Sequence, residues 1–257
     1  MSAEWEHDLS VWPEGVARHV LAEVDSTNSE AARLAPGLTK ATWILAHRQS
    51  AARGRRGRAW ASPEGNLSST LLMPFVGAPA DAALRSFVAA LALADALGAV
   101  CGPGVNIALK WPNDVLLNGG KVAGILLEST GQGGSTHHLA VGIGVNLAAA
   151  PPAETVEPGA VLPVSVLGET GVVVAPEAFL PYLANAFAHW ETQLSTHGFS
   201  EVRAAWLVRA AKLGQPLTAR TGSEVIEGIF ETIAEDGMLV LTTPNGPRKI
   251  PAADVFF

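Results

Sequence analysis

Asn118-Gly119-Gly120, set between two short apolar runs, constrains the fold of this 257-residue chain more than any other segment. Asn-Gly tolerates the positive φ angles of a type I′ turn, so residues 115–117 and 122–128 should pair as a hairpin. Apolar runs at 18–24, 42–47, 67–73, 105–111 and 138–145 read as further strands. Residues 25–34 carry helix-start side chains, with Thr27 and Glu30 at capping-box spacing and Pro36-Gly37 as the stop. Residues 81–98, rich in Ala and Leu, form the clearest helix, with Gly98 where a terminal glycine belongs. Helices interspersed with hairpin-joined strands predict an α+β fold, a mixed β-sheet flanked by helices.

Residues 148–176 read as a long, mostly irregular connection with one short helix near 164–169, and connections of that length often act as lids. Helices are expected at 176–195 and 199–211. The pattern then changes. Residues 216–220, 225–232, 238–242 and 248–251 are short strands broken by turn residues, which suggests a small barrel. The expected organisation is an N-terminal arm (1–17), a mixed unit (18–211) and a small all-β unit (212–257). The apolar share of 48% against 16% charged supports a sizeable core.

The 24 acidic and 17 basic residues leave a net charge of −7, which argues against a general nucleic-acid surface. The basic residues are concentrated, however. Arg48, Arg53, Arg55, Arg56 and Arg58 fall within one short stretch with no acidic residue between them. One basic spot on an acidic chain suggests a small anionic ligand. The single cysteine, Cys101, excludes an internal disulfide framework and reads as a small hydrophobe. The start of the chain lacks the apolar core of a signal peptide, and the stretch 87–101, interrupted by Asp95, is too short to span a bilayer. A cytoplasmic protein without a membrane partner is expected.

Three segments carry chemistry. In Gln49-Ser-Ala-Ala-Arg-Gly-Arg-Arg-Gly-Arg-Ala-Trp60, glycines expose backbone N–H groups and arginines offer forked donors to phosphate or carboxylate. Trp60 adds a flat face for a ring. Taken alone, the segment reads equally well as a solvated basic loop. In Lys110-Trp-Pro-Asn-Asp114, a break between strands sets polar groups at a sheet end. Asp114 offers oxygen to Mg²⁺, and Lys121 at the hairpin exit can reach a phosphate. An ordinary turn with flanking lysines fits these residues too. Gly124 marks either a bulge or close approach of a ligand to the sheet. In Gly142-Ile-Gly-Val-Asn146, two glycines on one face leave a flat surface, and Asn146 suits an adenine edge. A tight sheet–helix contact would also explain it. His137-His138 lacks the companions of a metal site.

Together these segments resemble the biotin–protein ligase family, in its short form without a DNA-binding domain. The resemblance rests on Asp25-Ser-Thr-Asn28, Gln49, Arg53-Gly-Arg-Arg-Gly-Arg58 with Trp60, Ser62-Pro63, Gly65-Asn66-Leu67, Lys110-Trp-Pro-Asn-Asp114, Lys121-Val-Ala-Gly-Ile-Leu126 with Glu128, and Gly142-Ile-Gly-Val-Asn146. They stand in the family's order over residues 20–147. It implies a catalytic domain like those of class II aminoacyl-tRNA synthetases and a C-terminal SH3-like domain. It also implies formation of biotinyl-5′-AMP from biotin and Mg-ATP, then transfer to a lysine of a biotin carboxyl carrier.

Carried over by position, Lys121 should contact the biotin carboxylate and α-phosphate, and Arg55 and Arg58 the phosphate oxygens. Ser26, Thr27 and Gln49 should bond the ureido end of biotin, with Gly124, Gly142 and Gly144 lining its ring. Trp60 should pack near adenine, with Asn113 and Asn146 on its edge. Asp114 should hold Mg²⁺ or orient Lys121. Asn28, Arg53, Gly54, Arg56, Gly57, Lys110 and Leu126 complete the expected binding set. Lipoate ligases or octanoyltransferases share the architecture, and a nucleotide-sensing module is the non-enzymatic alternative. Homodimerisation through an edge strand is also expected. About 17 residues before the first strand are too few for a helix-turn-helix, so no DNA binding is expected. One departure stands out: Ala52 replaces the first glycine of the family's loop, which would strain the chain if that position needs positive φ.

Overall fold

A computed structural model describes residues 10–132, 135–157, 159–251 and 253–257. The first nine residues of the expected arm lie outside them. Seven strands join one sheet. They are β1 (Ala17–Val24), β2 (Thr42–Gln49), β3 (Leu67–Gly77), β4 (Ile107–Lys110), β5 (Asp114–Leu117), β6 (Gly120–Gln132) and β7 (Ser135–Val145). Their order is β1-β2-β3-β7-β6-β5-β4. β1 runs parallel to β2 and every other neighbour is antiparallel, so the sheet is mixed.

The Asn118-Gly119 turn joins β5 to β6 with φ of 51° and 91°, as the hairpin signal requires. Gly120 is fixed by packing: a Cβ there would lie 2.2 Å from Val164 Cγ1. That contact seats the segment at 162–164, which also exchanges backbone bonds with Lys121.

Helices α1 (Thr27–Leu34), α2 (Pro79–Ala83), α3 (Arg85–Cys101), α4 (Val166–Thr170), α5 (Pro176–His197) and α6 (Phe199–Val208) flank the sheet. α3 is apolar all round because it is buried, with Phe87, Leu91, Leu93 and Leu97 in the core. It runs past the expected stop at Gly98 and ends at Gly102, whose φ is 77°. The opposite face of the sheet carries α1 over a small cluster of Ala31, Ala35, Ile44, Leu72 and Ala140. There the expected capping box does not form. Ser26 is the N-cap, the Thr27 hydroxyl turns to Gln49 and Thr70, and Glu30 pairs with Arg33. α4 is capped by the Ser165 hydroxyl and a left-handed Gly171.

The all-β segment is a five-stranded antiparallel sheet. Its strands are β8 (Pro216–Arg220), β9 (Val225–Ile233), β10 (Leu239–Thr243), β11 (Gly246–Ile250) and β12 (Asp254–Phe256), in the order β11-β10-β9-β8-β12. Phe230 of β9 packs edge-on to Trp206 of α6, which packs on Phe87 of α3, so one apolar core runs through both sheets. Trp111 Nε1 donates to Gly237 O at 3.1 Å and completes the junction.

The Gly120–Val164 contact yields a test. Gly120→Ala should destabilise the protein by about 1–3 kcal/mol through overpacking. Adding Val164→Ala should recover most of that loss in urea denaturation; a double variant no better than Gly120→Ala alone would contradict it.

Candidate functional site

The site begins with a strip of sheet that lacks side chains. Gly124 of β6 pairs with Gly144 of β7, and Leu126 with Gly142. Strand alternation turns these glycines away from the core, while Ile125, Val141, Ile143 and Val145 face into it. The bare strip floors a cavity of 740 Å³, a size suited to a nucleotide-bearing ligand.

Two residues lie on the strip itself. A Cβ at Gly144 would stand 2.6 Å from Trp60 Nε1, and one at Gly124 would stand 3.1 Å from Trp60 Cζ3. Gly142 is covered by Asn28, whose Oδ1 would lie 2.4 Å from a Cβ there. Indole and amide thus lie over these glycines.

At one end, α1 starts against β2. Gln49 Oε1 accepts from Thr27 N (2.8 Å) and Thr27 Oγ1 (3.2 Å), which directs the amide Nε2 away from α1. Asn28 Nδ2 donates to Glu128 Oε2 at 2.9 Å and its Oδ1 accepts from Thr70 Oγ1 at 2.6 Å. Arg53 forks onto Glu128 and bonds Ser29, so it braces this end.

At the other end lies the hairpin of β5 and β6. Asp114 sits between two lysines: Oδ1 is 2.7 Å from Lys121 Nζ and Oδ2 is 3.7 Å from Lys110 Nζ. The carboxylate is largely buried, so the lysine ammoniums are its charge partners. Lys110 is almost fully buried, and desolvation holds its pKa below the ordinary lysine value, with Asp114 opposing. Its ammonium lies 5.5 Å from the Phe257 ring centroid, and that of Lys121 lies 5.5 Å from Trp60.

The arginine loop crosses between these ends. A single 3-10 turn at Arg55–Gly57 puts Arg56 at φ 56° and Gly57 at φ 71°. Ala52 is not among the described residues with positive φ, so the departure there carries no backbone strain. Its carbonyl accepts from Trp60 N. Arg55 bonds Asn113 Oδ1 (3.2 Å) and Ala253 O (3.4 Å), and burial lowers its pKa.

Of the expected set, Ser26, Thr27, Asn28, Gln49, Arg53, Gly54, Arg55, Arg58, Trp60, Lys110, Asn113, Asp114, Lys121, Gly124, Gly142, Gly144 and Asn146 line the cavity. Three do not. Arg56 turns out to Asp254, Gly57 serves the turn, and Leu126 lines a neighbouring 290 Å³ cleft. The two asparagines expected on an adenine edge are already bonded within the protein. Asn113 donates to Ile125 O, while Asn146 donates to Val164 O and is 2% exposed. Other lining residues were not singled out from sequence. Pro151, Val156, Glu157 and Val161 cover the cavity from the long connection, and Asp254 and Phe256 close it from β12. The length of that connection was the one available signal.

Among the described residues no cluster of three His, Cys, Asp or Glu side chains forms a metal site. His137 is exposed, and burial raises the Cys101 thiol pKa, as befits a small hydrophobe.

Comparison with known proteins agrees with this geometry. Residues 20–146 match the Biotin/lipoate A/B protein ligase family, and residues 212–257 match the Biotin protein ligase C terminal domain. The chain is 60% identical to a biotin--[acetyl-CoA-carboxylase] ligase of Paracoccus denitrificans, over 93% of this chain and 99% of that protein. A Mycobacterium tuberculosis enzyme of the same name is 30% identical, over 92% and 87% respectively. The solved structure of a biotin protein ligase from Aquifex aeolicus in complex with biotin and ATP superposes with a TM-score of 0.78 at 26% identity, covering 93% of this chain and 98% of that one. With the full length of a close relative matched and both of its sheets in place, the chain belongs to the biotin protein ligase family.

Proposed function

We propose that the protein is an ATP-dependent ligase that makes biotinyl-5′-AMP from biotin and ATP. It then passes the biotinyl group to a lysine of a biotin carboxyl carrier protein, in the cytoplasm where ATP is made. The observation that carries this is the facing of Lys121, Lys110 and Arg55 around Asp114 at the edge of the glycine strip. Such a site gathers two anions rather than abstracting a proton.

The chemistry needs no more than that in its first step. A carboxylate is ionised at neutral pH, so its oxygen attacks the α-phosphorus unaided and pyrophosphate leaves. The protein has to align the two anions and stabilise charge on the phosphoryl oxygens. Lys121 fits the carboxylate and α-phosphate, with Arg55 and Arg58 on phosphate oxygens. The Ser26 hydroxyl and the Gln49 Nε2 left by the Thr27 bonds fit the ureido end. In the second step the carrier amine attacks the acyl carbon, sheds one proton, and AMP leaves.

The donor set also fits Mg²⁺ arriving with ATP. Asp114 is a largely buried carboxylate on the cavity wall, and Mg²⁺ is ordinarily held by one or two carboxylates together with substrate phosphates. When bound, the ion would neutralise phosphate charge. Lys110, on the same carboxylate, fits the remaining phosphate charge and accounts for a buried lysine that stability alone would not favour.

Two outcomes follow. ATP–pyrophosphate exchange should be stimulated by biotin and not by lipoate or octanoate, and Lys121→Met should reduce it roughly 10²–10³-fold. Exchange driven by lipoate instead would overturn the reading. Lys110→Met should abolish phosphate-dependent steps yet raise thermal stability. The pKa of Lys110 is lowered in the folded state, so native protein loses stability relative to the variant as pH falls from 10.5 through that lowered value. Melting curves for both proteins across that range check the sign.

A further inference from the structure

The arginine loop is held at the rim of the cavity by carboxylates to which the ligase reading gives no step. Asp254, on the last strand of the C-terminal sheet, accepts from Arg56 Nη1 and Arg58 Nη2, each at 2.9 Å. Its carboxylate is largely buried, with a side-chain exposure of 14%. Glu157, in the segment covering the cavity, lies 3.2 Å from the same Arg58 Nη2 and 3.2 Å from Arg220 Nη1. Arg220 is the residue paired with Asp254 across β8 and β12. Next to it, Ala253 O accepts from Arg55.

One short stretch of the C-terminal sheet therefore grips two covers of the site, the arginine loop and the segment that carries Glu157. The grip has a local cost to offset. Arg56 is one of only three described non-glycine residues with positive φ, a conformation worth roughly 1–2 kcal/mol of strain for an L-residue. Its side chain is the one that reaches Asp254. Both carboxylates meet Arg58 through Nη2, which leaves the rest of its fork for an anion in the cavity.

We infer that Asp254 is a positioning residue that fastens the arginine loop over the cavity, so that the C-terminal sheet sets how long a bound adenylate is retained. The retention part rests on the ligase reading; the fastening part does not.

Limited trypsin digestion of the ligand-free protein separates the two, because Arg55, Arg56 and Arg58 are themselves cleavage sites. In Asp254→Asn, which keeps the shape and removes the charge, cleavage after these arginines should rise about 5-fold, the effect of losing an ion pair of ordinary strength. Cleavage after Arg33 and the melting temperature should stay as in the native protein. Asp254→Glu should restore protection. About 1 M salt should loosen the native loop and leave the Asn variant little changed. Release of preformed biotinyl-5′-AMP should quicken by a similar factor in Asp254→Asn. Unaltered cleavage at the loop, or equal acceleration at Arg33, overturns the fastening. Faster loop cleavage with unchanged adenylate release overturns the retention. Absence of any biotin-dependent exchange in the native protein would instead sink the ligase reading and leave the digestion result standing.

Discussion

Gly124 facing Gly144 across two long antiparallel strands is the arrangement on which the site depends. Period-two alternation gives each strand one face for the core and one for the cavity. The core face of β6 and β7 is filled by branched side chains such as Ile125, Ile143 and Val145. The cavity face is left bare so that Trp60 can lie almost on the backbone. Binding surface and core are thus the two sides of one sheet, and the rigidity of the second is imposed on the first.

Charge is handled locally. The chain is acidic overall, yet its cavity gathers lysine and arginine, and each of these has a carboxylate close by. Lys110 and Lys121 share Asp114, while Arg58 shares Asp254 and Glu157. A cation half-removed from water is expensive unless paired. These carboxylates make the empty site tolerable without cancelling its pull on a phosphate, since the arginine forks retain unused N–H groups.

The sheet and its hairpin were legible in the sequence because Asn118-Gly119 and the apolar runs act through short-range geometry. The arginine loop, Lys121 and the glycines were legible as chemistry for the same reason. Glu157 and Asp254 were not, since each is an ordinary surface acid until the fold brings it to Arg58 from across the chain. Local signals also misled where tertiary contacts outbid them. Thr27 reads as a cap, but Gln49 and Thr70 take its hydroxyl. Gly98 reads as a helix end, but α3 runs one further turn to Cys101 and is capped by Gly102.

β6 has a consequence of its own. Within eight residues it supplies Lys121 for the anions, Gly124 for the floor, the Ile125 carbonyl for Asn113, the Leu126 carbonyl for Asn28, and Glu128 for Arg53. At about 3.4 Å per residue the strand works as a ruler roughly 24 Å long, with one register shift between Lys121 and Ala123 that brings Lys121 to the cavity face beside Gly124. From Ala123 onward its graduations cannot be moved one at a time, because an inserted or deleted residue turns every later side chain to the opposite face. Any adjustment of the site to a different acid therefore has to come from the loops laid against the ruler.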